Sequence, residues 1–394
     1  MDRRNPDGFC WPNAGQELVL KAALGSGARA VEAWRAWRRS VDIAEVDAGS
    51  FRLLPLLYRN LTSQGCDPEE LGKLKGIFRQ SWCRHQVGLH ALAGVLRALQ
   101  DAGVETIVLK GAALALLCYR DPGVRPMKDL DVLVPPARRT EADDAVQRQG
   151  WRPLAMVDPD AIAERHYSAA GGKELDVHHY LLPYDRYTGA DDSLWSAAVP
   201  LEIEGVVSRA LAPADQLFHV LVHGVAWNQV PQVRWVADAV TVIRSAATRL
   251  DWDRVLEQTT RRSFVPAVRS GLDYLRRTFE VDVPADVVRR LDAVQVSRGH
   301  RLEHWARQRG PFTPLGWAPL IWCGYVRTLQ GTGLRPGLSG FMQSLRHQLP
   351  AQNVFTFGLL LAWKVLRAPT RQIAHLAWRT RAAAARVART ASRR

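Results

Sequence analysis

Glu105 to Val134 reads ETIVLKGAALALLCYRDPGVRPMKDLDVLV. Its succession of textures decides the fold. Thr106-Ile107-Val108-Leu109 is a short apolar run with β-branched residues and predicts a buried strand; from Gly111 the spacing becomes helical through Leu117. The loop RDPGVRPMK follows, with Asp-Pro-Gly turn chemistry and the cations Arg125 and Lys128. It leads into DLDVLV, where Leu130, Val132 and Val134 alternate with Asp129 and Asp131. A strand with that alternation buries the aliphatics and projects both carboxylates from the opposite face. Two residues of strand rise separate them by about 7 Å, a spacing from which carboxylates converge on a pair of divalent ions. Like charges so placed repel unless a cation lies between them.

Outward from this stretch, Glu17 to about His85 is helical in segments such as ELVLKAAL, AVEAWRAWRRS and FRLLPLLYRNL, and another helix is expected near Val87 to Ala102. After DLDVLV come a helix from about Arg138 to Gln149, strands in WRPLAMV and KELDVHHYL, and a sheet-closing LEIEGVVSRAL. Beyond Pro213 helical spacing returns, in PADQLFHVLVHGVAW, VRWVADAVTVIRSA and DWDRVLEQTTRR. The expected class is α+β: a mixed-sheet core with flanking helices, plus N-terminal and C-terminal helical regions. The expected divisions are 1–86, 87–211, 212–366 and a basic tail, 367–394.

A third carboxylate, Asp176, lies between Leu175 and Val177, and Glu174 and His178 share its face of the strand. Leu109-Lys110-Gly111-Ala112 occupies a strand-to-helix junction. Backbone N–H groups and the helix dipole there favour a phosphate, Gly111 permits its close approach, and Lys110 adds a point charge.

The order of strand, glycine-containing turn, helix, DxD strand and a strand with one carboxylate between apolar neighbours resembles the nucleotidyltransferase superfamily of DNA polymerase beta and the antibiotic-modifying adenylyltransferases. More closely, LKGAALALLCYRDPGVRPMKDLDVLV followed by ELDVHH resembles the bacterial family of uncharacterised nucleotidyltransferases. The resemblance extends to LLPLLYRNL, PADQLFHVLVHG and VRWVADAV. It implies a nucleotidyltransferase fold and transfer of an NMP from an NTP to an acceptor hydroxyl with release of pyrophosphate. Asp129 and Asp131 would bind Mg²⁺ with the NTP phosphates, and Asp176 would bind a second ion and activate the hydroxyl; Mn²⁺ is the alternative ion. Gly111 would contact the triphosphate, with Lys110, Arg125 and Lys128 nearby. Where the superfamily carries Gly-Ser or Gly-Gly, this chain has Gly111-Ala112, which removes one hydroxyl from the phosphate turn. The acceptor, whether small molecule, sugar, peptide or tRNA end, is not legible. A catalytically silent nucleotide-binding scaffold and an RNA-directed enzyme are the rival readings.

His178 and His179 read as structural or supporting groups, since no Cys or HxxxH spacing accompanies them. His219 and His223 share a helix face, with Asp238 as a candidate partner, and such helical residues could wall the nucleotide or acceptor site. Tryptophans such as those in AVEAWRAWRR and VRWVADA sit at core spacing. Cys10, Cys66, Cys83, Cys118 and Cys323 show no metal-ligand or disulfide pattern and read as free thiols. Of the formal charge of +14, eight positives fall between Arg367 and Arg394 with no acid among them, so the remainder is only mildly basic and a weak polyanion contact rests on the tail. The start, MDRRNPDGFCWPN, lacks the features of a secretory signal, and the longest apolar stretch, Val354 to Trp363, is short of a bilayer span. A cytoplasmic location without a transmembrane segment is the expectation.

Overall fold

In the computed structural model the described residues are 10–154, 164–226, 233–246, 250–309, 314–330 and 333–348. The contacts divide the chain into two units, one running through Val296 and the other beginning at Ser297.

The first unit opens with helices α1 (Ala14–Leu24), α2 (Gly27–Ser40), α3 (Ala48–Phe51), α4 (Leu54–Ser63) and α5 (Gly72–Asp101). Reciprocal capping starts α1: the Asn13 side chain accepts from the Gln16 N–H at 2.9 Å, and the Gln16 side chain accepts from the Asn13 N–H at 3.0 Å. α5 runs unbroken across the expected division at 86/87 and buries Leu89, Leu92, Leu96 and Leu99 along one stripe.

The sheet region follows as β1 (Ile107–Val108), α6 (Lys110–Leu114), β2 (Asp129–Leu133), α7 (Arg139–Arg148), β3 (Arg152–Pro153), β4 (Glu164–Ala169), β5 (Lys173–His178), α8 (Asp192–Ala197), β6 (Val199–Ile203) and β7 (Val206–Ala210). Among the described residues the sheet has seven strands in the order β3-β4-β5-β2-β1-β7-β6. It is mixed: β2 runs parallel to β5 and β1 to β7, and the other neighbours are antiparallel. The strand expected at Thr106–Leu109 forms over two residues only. α6 passes into a π-helical turn, Ala115–Tyr119, a local widening that recurs near functional sites. WRPLAMV contributes Arg152–Pro153, its later part lying outside the described residues. LEIEGVVSRAL is a hairpin, turned at Glu204 (φ 47°) and Gly205 (φ 78°) as two-residue type I′ connections require. β4 had no counterpart in the sequence reading.

One sheet face, bearing Leu130, Val132, Tyr167, Leu175 and Val177, packs with Leu92, Leu96 and Leu99 of α5 and Ala142 and Val146 of α7. The chain then continues as α9 (Pro213–Leu221), a π-turn over Val222–Ala226, α10 (Arg234–Ala246), α11 (Trp252–Arg261), α12 (Val265–Phe279) and α13 (Ala285–Ala293). These share one apolar core with α1, α2 and α4, through residues such as Leu20, Trp37, Leu57, Leu217, Val236 and Leu272. Trp34 and Trp37 stack at 5.8 Å between centroids, and Trp235 is buried, as their spacing implies. A Cβ on Gly224 would lie 2.2 Å from Trp235, so the π-turn meets this ring only with glycine there. No disulfide joins any of the five cysteines.

The second unit contains α14 (Arg298–Gln308), α15 (Pro314–Thr328) and α16 (Leu338–Gln348). Trp322, Tyr325 and Phe341 form an aromatic cluster with centroids 5.1–5.7 Å apart. Glu303 is buried and accepts from Arg327 and Arg307, at 2.8 Å in each pair. Burial alone would raise its carboxyl pKa, but the two guanidiniums hold it down at about 2. Because the folded value lies below the unfolded one, this stabilisation is full above the unfolded pKa of about 4.3 and is lost as pH falls toward about 2. Protection against hydrogen exchange in α14 and α15, corrected for the intrinsic rate at each pH, is therefore expected to fall between those pH values, by an opening free energy of up to about 3 kcal/mol, and Glu303→Gln is expected to flatten the dependence. An unchanged acid profile in the variant would remove this role from Glu303.

Among the described residues no helix is long and apolar enough to cross a membrane. The basic tail, 367–394, and the stretch Val354 to Trp363 lie outside the described residues.

Candidate active site

The polar faces of β2, β5 and β4 meet in register. Asp129 stands opposite Glu174 and Asp131 opposite Asp176, while β4 sets His166 against Asp176 and Glu164 against His178. Side chains two residues apart share a face, so the three aspartates singled out by the sequence lie on one surface. One ligand atom each from Asp131, Asp176 and His178 falls within 4.8 Å of the others; Asp129 stands beside this group.

Asp131 is 2 % exposed. Its Oδ1 accepts from Lys110 Nζ at 2.6 Å and from His178 Nε2 at 3.0 Å. Burial would raise its pKa, but the ammonium and the imidazole hold the carboxyl far below the usual range. In Asp129, burial and then the charge of Asp131 push the pKa up. The other nitrogen of His178, Nδ1, meets Glu164 Oε2 at 2.9 Å. Burial and Lys110 oppose the imidazolium, yet the hydrogen bonds to Asp131 and Glu164 lift His178 to about 9. His166 Nδ1 lies 2.7 Å from Asp176 Oδ1, and that hydrogen bond raises the histidine's pKa.

Lys110 reaches Asp131 from a backbone with φ 45°, a left-handed conformation rare outside glycine and found where function constrains the chain. Next to it, a Cβ on Gly111 would lie 2.9 Å from Met127 and 3.1 Å from Arg125 Nη1. This bare backbone lines a cleft of about 410 Å³ with Lys110, Asp129 and Asp131 on the sheet side, Arg52, Arg125 and Lys128 alongside, and Gln216, His219, His223, Arg234 and Trp235 on the helical side. The volume suits a small-molecule site of about 300–1,000 Å³.

Several expectations are corrected. The Ala112 side chain does not line the cleft; one residue past Gly111 the helix has turned about 100°, and this methyl is buried in the apolar core with α5. Arg125 borders the cleft, but Asp238 engages it bidentately, Nε to Oδ1 at 2.9 Å and Nη2 to Oδ2 at 2.8 Å. Asp238 also accepts from Tyr119 at 2.9 Å, so its partners are these groups and not His219 or His223. Both histidines do wall the cleft; burial, then each one's cationic or imidazole neighbours, lowers His219 well below its ordinary value and His223 to about 4. In both, burial favours the neutral imidazole. Lys128 is held by Glu174 at 2.6 Å. His179 points to the opposite sheet face, toward Asp143 and Arg139, and neither ring nitrogen has a partner among the described residues.

Glu164, His166, Arg52 and Arg234 belong to the site without having been foreseen. Glu164, His166 and Ser168 alternate in ERHYSA, but Arg165 interrupts the apolar half of the pattern. That arginine is accommodated on the buried face by an ion pair with Asp143, which also accepts from Tyr167.

The donors fit a divalent cation. Two carboxylates and an imidazole converge, and the Lys110 ammonium now supplies positive charge where the ion would.

A family model described as uncharacterised nucleotidyltransferase matches residues 36–280, more than half of the chain. No curated protein sequence matches. Among solved structures, the antibiotic-resistance factor ANT(2'')-Ia in solution is 17 % identical, with 48 % of this chain and 98 % of that chain covered and a TM-score of 0.33. The crystal structure of ANT(2'')-Ia in complex with adenylyl-2''-tobramycin is 18 % identical over 47 % and 98 %, TM-score 0.33. An antigenic nucleotidyltransferase-like protein from Paracoccidioides brasiliensis is 15 % identical over 55 % and 96 %, TM-score 0.35.

Proposed function

This chain belongs to the uncharacterised nucleotidyltransferase family, and on that premise we propose that it moves a nucleoside monophosphate from an NTP to a hydroxyl of an acceptor, at the face formed by Asp129, Asp131 and Asp176. The observation that carries the reading is the register of Asp131 against Asp176, with Asp129 on the same face and Lys110 and Gly111 at the edge of one cleft.

Asp129 and Asp131 would hold one divalent ion with the NTP phosphates, and Asp176, whose carboxylate lies close to Asp131, would hold a second; Mg²⁺ or Mn²⁺ would serve. Bound there, such ions neutralise charge on the transferring phosphate and lower the pKa of the attacking hydroxyl. Lys110, Arg125 and Lys128 supply positive charge along the triphosphate, and the bare backbone at Gly111 lets a phosphate approach. Asp176, one oxygen of which is held by His166, accepts the proton of the hydroxyl. The new bond joins the acceptor oxygen to the α-phosphorus, the bond to the β-phosphate bridge breaks, and pyrophosphate leaves. The 87–211 core carries this chemistry, and the helical wall with Gln216, His219 and His223 meets the acceptor, a small molecule, sugar, peptide or tRNA end.

Incubation with each α-labelled NTP, Mg²⁺ or Mn²⁺, and fractions of small molecules, peptides and tRNA is expected to place label in one acceptor class with stoichiometric pyrophosphate. Label in none of them with either ion, despite NTP binding, would reject transfer in favour of a silent scaffold.

A further inference from the structure

We propose that His178 is itself a metal ligand, through Nε2, in the position formed with Asp131 and Asp176, so that this position takes a divalent transition ion through one nitrogen and two carboxylates. The inference rests on the nucleotidyltransferase reading above and changes the expected ligand set of aspartates alone.

Three observations carry it. His178 occupies the sheet face two residues beyond Asp176, and its Nε2 lies 3.0 Å from Asp131 Oδ1, inside the group of three ligand atoms that fall within 4.8 Å of one another. Its other nitrogen is already fixed: Nδ1 meets Glu164 Oε2 at 2.9 Å, and the residue is 4 % exposed. A carboxylate behind the distal nitrogen of a histidine is the arrangement that orients metal-bound imidazoles, sets the tautomer and raises basicity at the metal-facing nitrogen. Third, the space in front of Nε2 already holds a cation, since Lys110 Nζ stands 3.4 Å from Nε2 and 2.6 Å from Asp131 Oδ1. The Lys110 side chain is 24 % exposed and borders the cleft, so its ammonium can move toward the triphosphate when an ion takes its place.

Imidazole is a favourable donor for transition ions, whereas Mg²⁺ prefers oxygen ligands and retains its waters. The position is therefore expected to bind Mn²⁺ more tightly than Mg²⁺.

Mn²⁺ is the probe for the test, added to the full chain with and without a non-hydrolysable α,β-methylene triphosphate. Electron spin-echo modulation at bound Mn²⁺ should show directly coordinated ¹⁴N, which changes to the ¹⁵N pattern when the protein is made with ¹⁵N-histidine. This readout needs neither a variant nor turnover. In His178→Asn the nitrogen modulation should vanish and Mn²⁺ affinity should fall by at least about 100-fold; Glu164→Ala, which removes only the support, should keep the modulation and weaken binding about 10–100-fold. Circular dichroism checks that both variants fold. Bound Mn²⁺ without nitrogen modulation, or modulation that survives in His178→Asn, overturns the ligand assignment and leaves the nucleotidyltransferase reading standing. Failure of Mn²⁺ to bind under either condition overturns both.

Discussion

Asp131→Asn is expected to lower NMP transfer at least about 1,000-fold while leaving the chain folded. Asp131 stands at the centre of the site: it faces Asp176 across β2 and β5 and accepts from both Lys110 and His178. The amide keeps the shape and one acceptor oxygen but removes the charge that an ion would need. Losing one preorganised donor from a buried catalytic site costs about 100–1,000-fold; losing a carboxylate to which the proposed mechanism assigns the metal and phosphates is expected to reach at least the upper end, about 4 kcal/mol in barrier height. Folding should suffer less. Lys110 is 24 % exposed on its side chain and can reach water in the cleft, and the amide oxygen of the variant would still accept one hydrogen bond. Weakening hydrogen bonds to charged groups costs about 1–3 kcal/mol, within the reserve of a typical domain. The measurement is label transfer from α-labelled NTP at saturating Mg²⁺, with a thermal melt on the same samples. A folded Asp131→Asn chain with wild-type turnover would remove the carboxylate face from the mechanism.

This centre was legible in the sequence because strand alternation is a local signal. Asp129 and Asp131 between Leu130 and Val132, and Asp176 between Leu175 and Val177, declare a face whichever strands become neighbours. Their pairing in register required only that β2 and β5 lie side by side. The support around them left a weaker trace. β4 carries Glu164 and His166 toward the site but places Arg165 on the buried face, where Asp143 of α7 accommodates it; a charge in an apolar position conceals a strand until its partner is known. Arg52, in the turn after α3, and Arg234, at the start of α10, lie far apart in the chain, and packing in the shared apolar core brings both to the cleft. Ala112 belongs to the same turn as Gly111, and one helical step carries its methyl into the core.

The helical wall can be tested through Asp238, a carboxylate that binds it to the loop before β2. Asp238→Ala is expected to destabilise the first unit by about 3–5 kcal/mol. Asp238 is 4 % exposed on α10; it accepts two hydrogen bonds from Arg125, 4 % exposed in the loop, and one from Tyr119 at the end of the π-turn. Three segments therefore converge on it. Its removal leaves the Arg125 guanidinium buried beside Arg234, whose pKa burial and then Arg125 already lower to about 10. A guanidinium does not shed its charge at neutral pH to relieve this, so the repulsion must be met by local opening or by an anion. The second route yields a distinctive signature. Pyrophosphate or a triphosphate in the cleft would supply the missing negative charge, and stabilisation by a ligand of the folded state grows with its concentration over its dissociation constant. The melting temperature of Asp238→Ala is thus expected to fall in low-phosphate buffer and to rise with added pyrophosphate by more than that of the unaltered chain. A loss under about 1 kcal/mol would show that Arg125 finds another partner; a large loss with no differential response to pyrophosphate would remove Arg125 from the anion-binding side of the cleft.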